Sequence, residues 1–212
     1  MRRALGIALV LAGLLVLADV AVTLAWQEPV SAIRAQRAQG RLAGDLRRLE
    51  RAASPAPVGT AAAAFARTRH DGQAIAELRI PRLGLRTVVV RGAAPADLRE
   101  GPGLLDGTPL PGQHGTTAIA GHRTTYGAPF RHLDALRRGD PIVVRMPYGS
   151  FRYAVEGTRI VAPSDVAVLR RVGHDRVVLS ACHPLFSAAR RIVVVARLVG
   201  VGQPAKSLNR HV

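Results

Sequence analysis

Val177-Val-Leu-Ser-Ala-Cys-His-Pro-Leu-Phe-Ser-Ala-Ala-Arg-Arg-Ile-Val-Val-Val-Ala196 reads as strand, short loop, strand. Val177 to Leu179 and Ile192 to Val195 are apolar, mostly β-branched runs of strand length. Between them lies Cys182, the sole cysteine of the chain. It has no partner for an internal disulfide, so it is either a buried small hydrophobe or a reactive thiol. Its place at a strand's exit, just ahead of Pro184, favours exposure at the edge of a sheet.

Outward from this stretch, the same strand signals recur. Ile75 to Ile80, Arg86 to Val90, Thr116 to Ala120, Pro141 to Met146, Ser150 to Glu156, Thr158 to Val161, Arg176 to Ser180 and Ile192 to Val199 all read as strands. Gly149 and Gly157 read as turns between three of them. Pro95 to Glu100 predicts one helical turn, and Phe130 to Arg138 a short helix stopped by Gly139. Gly101 to Gly115 is rich in Gly and Pro and reads as a loop, whereas Val166 to Val172 fits strand or helix equally. About eight short strands with little helix indicate an all-β barrel or sandwich.

The folded domain is expected to span 74–200, with a tail over 201–212. Ahead of it, Met1-Arg-Arg leads into Ala4 to Trp26, which holds one charge, Asp19, and no Pro. A spanning helix needs about 20 mostly apolar residues, and Trp26 falls where an interfacial aromatic belongs. A cleaved signal peptide would have an apolar region of about 7–15 residues and a small-residue cleavage site. This run is longer and ends in no such site, so 1–26 reads as an uncleaved anchor with its N-terminus inside. Residues 27–73 read as a stalk: Leu42, Leu46 and Leu49 share a helical face, and 52–59 has linker composition.

Composition narrows the function classes. The 212 residues are 48% hydrophobic and only 4% aromatic, so aliphatic side chains must fill the core. The formal net charge is +16, carried by Arg, with Lys206 the single lysine. Such a balance suits an anionic envelope or nucleic acid. The arginines are scattered, however, and no basic stripe is interleaved with aromatics, which argues against nucleic acid. One cysteine and seven histidines without paired spacing do not make a zinc site, and no Gly-rich phosphate loop occurs.

A cysteine nucleophile acts as thiolate and needs a basic partner or a positive field. The candidates are His70, His114, His122, His132, His174, His183 and His211. His183 adjoins Cys182, but neighbours along a strand point to opposite faces. His122 is better placed, because it leaves the strand Thr116 to Ala120 directly, with Gly121 allowing close backbone approach. Arg190 or Arg191 would bring a guanidinium to a developing oxyanion. The two must face opposite sides of their strand, and both faces continue apolar, so burial does not choose between them.

The stretch Ala120-Gly-His-Arg-Thr-Thr-Tyr-Gly-Ala-Pro-Phe130, followed by Leu133 to Asp140, resembles the histidine segment of sortases, the class E group in particular. Val178-Leu-Ser-Ala-Cys-His-Pro-Leu-Phe186 and then Arg191-Ile-Val-Val resemble the family's cysteine segment and arginine strand, and the loop Thr108-Pro-Leu-Pro-Gly112 is also similar. Ser180-Ala181 departs from the Thr-type neighbours frequent before the family's cysteine. The resemblance covers 74–199 and the N-terminal anchor. It implies an eight-stranded β-barrel with short helices, preceded by a transmembrane helix, on the outer face of the cell membrane. It further implies a cysteine transpeptidase that cleaves a C-terminal sorting signal between Thr and Gly. The protein would be held as a thioester and passed to an amine of the cell wall or of another protein. Class E similarity implies an LAxTG-type signal over LPxTG. In these roles Cys182 is the nucleophile, His122 the general acid, Arg191 the oxyanion stabiliser and Tyr126 a substrate contact. No cofactor or metal is expected.

Two rivals remain at this level. Peptidoglycan L,D-transpeptidases resemble Ser-His-Gly-Cys around the nucleophile, where this chain has Ser-Ala-Cys-His. A non-enzymatic membrane-anchored β-domain binding anionic wall polymer would be indifferent to Cys182→Ala.

Overall fold

Apolar, mostly β-branched residues set strands β1 (Ala74–Ile80), β2 (Leu85–Arg91), β4 (Thr116–Ala120), β5 (Pro141–Met146), β6 (Gly149–Val161), β7 (Arg176–His183) and β8 (Arg190–Gly202), alternating in and out along β5 and running buried on both faces through the middle of β7 and β8. With the two-residue β3 (Gly103–Leu104) they close into a barrel in the order β1-β2-β3-β4-β7-β8-β6-β5. Closure removes the open edges that a sheet must otherwise protect. This computed structural model describes residues 2–25 and 29–204. Aliphatic side chains fill the barrel, as the scarcity of aromatics requires: Ile75, Leu78, Ile119, Ile142, Leu179 and Ile192 are fully buried around Phe130 and Phe151.

Two strand readings change. Ser150 to Glu156 and Thr158 to Val161 form one strand, β6, with a register slip between Val155 and Gly157 instead of a turn. Inside the expected loop, β3 pairs parallel with β2 and antiparallel with β4. A Cβ at Gly103 would lie 2.1 Å from the Gly92 carbonyl oxygen, so only glycine allows this junction. The strand count is therefore eight by one merger and one addition. Phe130 to Arg138 holds only a 3-10 turn at Leu133–Ala135 instead of a helix. The ambiguous stretch is also a 3-10 turn, Val166–Leu169, and α4 (Pro95–Leu98) is the expected helical turn.

The expected stalk is not a free spacer. Helix α2 (Pro29–Ala52) buries a stripe of Ser31, Ala35, Ala38, Leu42 and Leu46. Leu42 and Leu46 pack on Ala74, Val88 and Val90. Gln39 docks the helix on β2: its Nε2 donates to Val88 O (3.1 Å) and Glu100 O (2.8 Å), and its Oε1 accepts from Val88 N (2.7 Å). Helix α3 (Val58–Thr68) follows the Pro-rich break and buries Ala62 completely in the barrel's own core cluster. Its Phe65 meets Tyr148 edge to face at 5.6 Å. Such pairs add to area burial. Helix α1 (Arg2–Ala25) keeps every described side chain, residues 5–7 and 9–20, exposed. Among the described residues no helix is long and apolar enough to cross a membrane. Trp26, residues 205–212 of the tail and His211 lie outside the described residues.

Candidate active site

The pairing of β4, β7 and β8 decides where the chemistry-bearing side chains go. Strands β4 and β7 run parallel, with Ala120 beside Ser180 as their last pair. Gly121 N then donates to Ser180 O at 3.0 Å. His122 and Cys182 each lie two residues past that last pair, at the same end of neighbouring strands. On the other side of β7, Cys182 stands directly opposite Arg191, and His183 opposite Arg190. Directly opposed residues share a face of the sheet. Cys182 and Arg191 therefore point the same way, and Arg190 points the other. Cys182 is half-buried and unpaired.

Alternation identifies that face. Leu179, Ala181, Ile192 and Val194 line the barrel core. Val178, Val193 and Val195, with Ala118 of β4, form a separate apolar cluster on the outside, flanked by Leu105, Val161, Val168 and Leu169. Cys182 continues the outward row of Val178 and Ser180, and Arg191 the outward row of Val193 and Val195. The outward row thus runs from a buried apolar cluster to Cys182, with Arg191 across from it in register.

His122 sits on a tightly folded loop. A Cβ at Gly121 would lie 2.7 Å from the Phe130 ring, so glycine lets the backbone pass the buried Phe130, whose N–H donates to His122 O at 3.0 Å. Nδ1 of His122 is 3.3 Å from Thr125 Oγ1. Nε2 is buried without a hydrogen-bond partner among the described residues. Nδ1 thus carries the ring's side-chain hydrogen bond, and Nε2 has no competing one. Burial lowers the pKa of His122 below the ordinary histidine range, and the Arg99 guanidinium adds to the effect. The resting imidazole is neutral at pH 7.

Tyr126 lies against His122, with ring centroids 4.9 Å apart and a 41° tilt. Its φ is +51° and that of Ala128 is +41°, conformations that cost a non-glycine residue free energy and persist where surroundings enforce them. One enforcing contact comes from α2: Tyr126 N donates to Ser31 Oγ at 3.2 Å. Arg191 Nη1 donates to Ala188 O (3.0 Å) and Arg190 O (3.1 Å), which leaves the Nε and Nη2 donors for other acceptors.

Two other histidines lie away from this end of the barrel. His114 pairs with Asp175 at 3.2 Å, and His174 approaches Glu156 at 3.6 Å. Among the described residues no group of three or more His, Cys, Asp or Glu could hold a metal ion. Sequence reasoning missed Arg123, Thr125 and Ser31. Arg123 is only 4% exposed, yet one more arginine in this chain carries no signal of burial. Ser31 had a signal, the small residues at helical spacing on the leucine face of α2.

These features match known proteins. The family model for the sortase domain matches residues 78–199, more than half of the 212 residues. Sortase D of Bacillus subtilis is 29% identical over 133 residues, spanning 60% of this chain and 65% of that protein. Sortase SrtE1 of Streptomyces coelicolor is 33% identical over 144 residues, spanning 60% of this chain and 41% of that protein. The chain thus spans less than two thirds of either relative. The crystal structure of sortase E1 from Streptomyces coelicolor with a tripeptide in the active site matches with TM-score 0.59 at 31% identity, covering 62% of this chain and 91% of that one. The chain belongs to the sortase family of cysteine transpeptidases and is class E-like.

Proposed function

We propose that the chain is a membrane-anchored transpeptidase that cleaves an LAxTG-type sorting signal between Thr and Gly and passes the protein to a cell-wall or protein amine. The observation that carries this reading is the strand register. It puts Arg191 directly across from Cys182, with His122 at the end of the parallel neighbour. In the first half-reaction Cys182 passes its proton to His122, and the thiolate attacks the threonine carbonyl carbon. The carbonyl oxygen takes up negative charge, and the guanidinium of Arg191 donates to it. The C–N bond breaks, and His122 Nε2 gives its proton to the departing glycine amine. A thioester on Cys182 remains. In the second half an acceptor amine attacks the thioester carbon, His122 takes the amine's proton and the thiolate leaves.

The half-buried Leu105, Val161, Val168 and Leu169, packed over the buried Ala118, Val178, Val193 and Val195, offer apolar surface that suits an extended peptide with a leucine ahead of the scissile bond. Tyr126, stacked on His122, is placed to touch such a peptide. The anchor reading rests on the apolar run of 1–26 and on the exposed leucines of α1, such as Leu14, Leu15 and Leu17. It puts the barrel of 74–200 outside the cell membrane, held by α2 and α3 within 27–73 and followed by the tail of 201–212.

One experiment tests reaction and placement together. Wall-stripped cells making the full chain are given LAxTG or LPxTG peptide and an amine in the medium. The amide product should form outside, faster with LAxTG, and external protease should abolish it. Product formation that survives protease contradicts the placement. A clear LPxTG preference contradicts the specificity and leaves the reaction type standing.

A further inference from the structure

The β4–β7 ladder stops one step short of the reacting residues. Beyond Gly121 N→Ser180 O, the backbones carrying His122 and Cys182 go separate ways, one into the 122–130 loop and the other toward β8. The chemistry nevertheless needs the imidazole and the thiol in fixed relation. The residue after each of them supplies a tie. Arg123 Nη1 lies 2.9 Å from His183 Nδ1. A guanidinium is always protonated and cannot accept, so Arg123 donates and Nδ1 accepts. In that bond Nδ1 is the acceptor nitrogen of the ring and Nε2 its donor.

Arg123 is built into the fold as a cross-brace. Its side chain is 4% exposed, while that of its counter-ion Asp134 is 61% exposed. Nε donates to Arg131 O at 3.1 Å and Nη2 meets Asp134 Oδ1 at 2.9 Å, so all three guanidinium nitrogens are used. A charge buried this far is tolerated only with such pairing. His183 lies on the Ala181 side of β7, which faces the core, opposite to the outward face of Cys182. The tie therefore cannot touch a peptide lying on Cys182. It acts through the backbone alone.

We propose that Arg123 and His183 are positioning residues: their hydrogen bond locks the loop of the general acid to the strand of the nucleophile from behind. This rests on the roles given above to His122 and Cys182. Misplacing reacting groups by about 1 Å can cost on the order of 100-fold in rate. Loss of the tie thus belongs in kcat, since the peptide-binding face is untouched.

The His183 series tests this in the full chain in detergent, with LAxTG peptide and an amine. His183→Ala removes the acceptor and should lower kcat roughly 10- to 100-fold with KM little changed. In His183→Asn the amide oxygen stands near the place of Nδ1 and accepts from Arg123, so kcat should recover most of the loss. In His183→Gln the oxygen reaches the place of Nε2 instead and should recover little. Thermal melts confirm that each variant is folded. Wild-type turnover with an equally active His183→Ala overturns the tie, and so does an Asn variant no better than Ala. Absence of turnover in the wild type itself would instead overturn the roles of His122 and Cys182.

Discussion

His122→Ala is expected to lower kcat by about 10²–10⁴, the range that a positioned general acid supplies. The leaving group is a primary amine, which departs poorly without a proton. Among the described residues Nε2 has no hydrogen-bond partner, whereas Nδ1 is engaged by Thr125. His122→Gln should fare no better, because an amide side chain holds shape and hydrogen bonds but gives up no proton. The pH profile adds a signed expectation. Burial lowers the pKa of His122. An imidazolium formed ahead of the reaction cannot take the Cys182 proton, so protonation of His122 should cut the rate. Plotted against pH, kcat/KM should fall along an acid limb that lies below the ordinary histidine range near pH 6.5. An acid limb above that range would contradict the buried, neutral imidazole.

Arg191→Ala should cost about 10²–10³ in kcat, or roughly 3–4 kcal/mol, the usual loss on removing an oxyanion donor. The register makes this specific. Arg191 shares the outward face with Cys182, whereas Arg190 is exposed on the opposite side across from His183. Arg190→Ala should therefore stay near wild type. Arg191→Lys should recover little, because an ammonium lacks the planar fork in which Nη1 holds the Ala188 and Arg190 carbonyls while Nε and Nη2 are left for other acceptors. A dead Arg190→Ala with an active Arg191→Ala would place the oxyanion on the other face of β8 and sink the assignment.

The choice between these arginines shows where sequence reading stops. Alternation along β8 says that they diverge, but only the pairing of Cys182 with Arg191 says which one the thiol meets. Pairing is a long-range property, and no local pattern encodes it. Most strands were legible because the β-branched runs are long and punctuated. Strand β3 was not, because two residues carry no periodicity. Gly157 misled in a different way. Glycine serves turns and bulges alike, and here it marks a slip within β6. Helix α2 of the expected stalk was visible, but α3 and the burial of both were not. Ser31, Ala35, Ala38 and Ala62 are small, so they mark close packing without looking hydrophobic. The consequence is functional, since the first turn of α2 reaches the Tyr126 backbone beside His122. Arg123 was hidden by composition, one arginine among many.

The most direct test of the central claim is a mass spectrum of the full chain quenched with acid shortly after mixing with LAxTG peptide and no amine. The account predicts one added mass, equal to the peptide up to and including its threonine. It should map to the Cys182 peptide, be released by hydroxylamine, and be absent in Cys182→Ala. Peptide cleavage with no acyl group on Cys182, or cleavage that persists in Cys182→Ala, would contradict it.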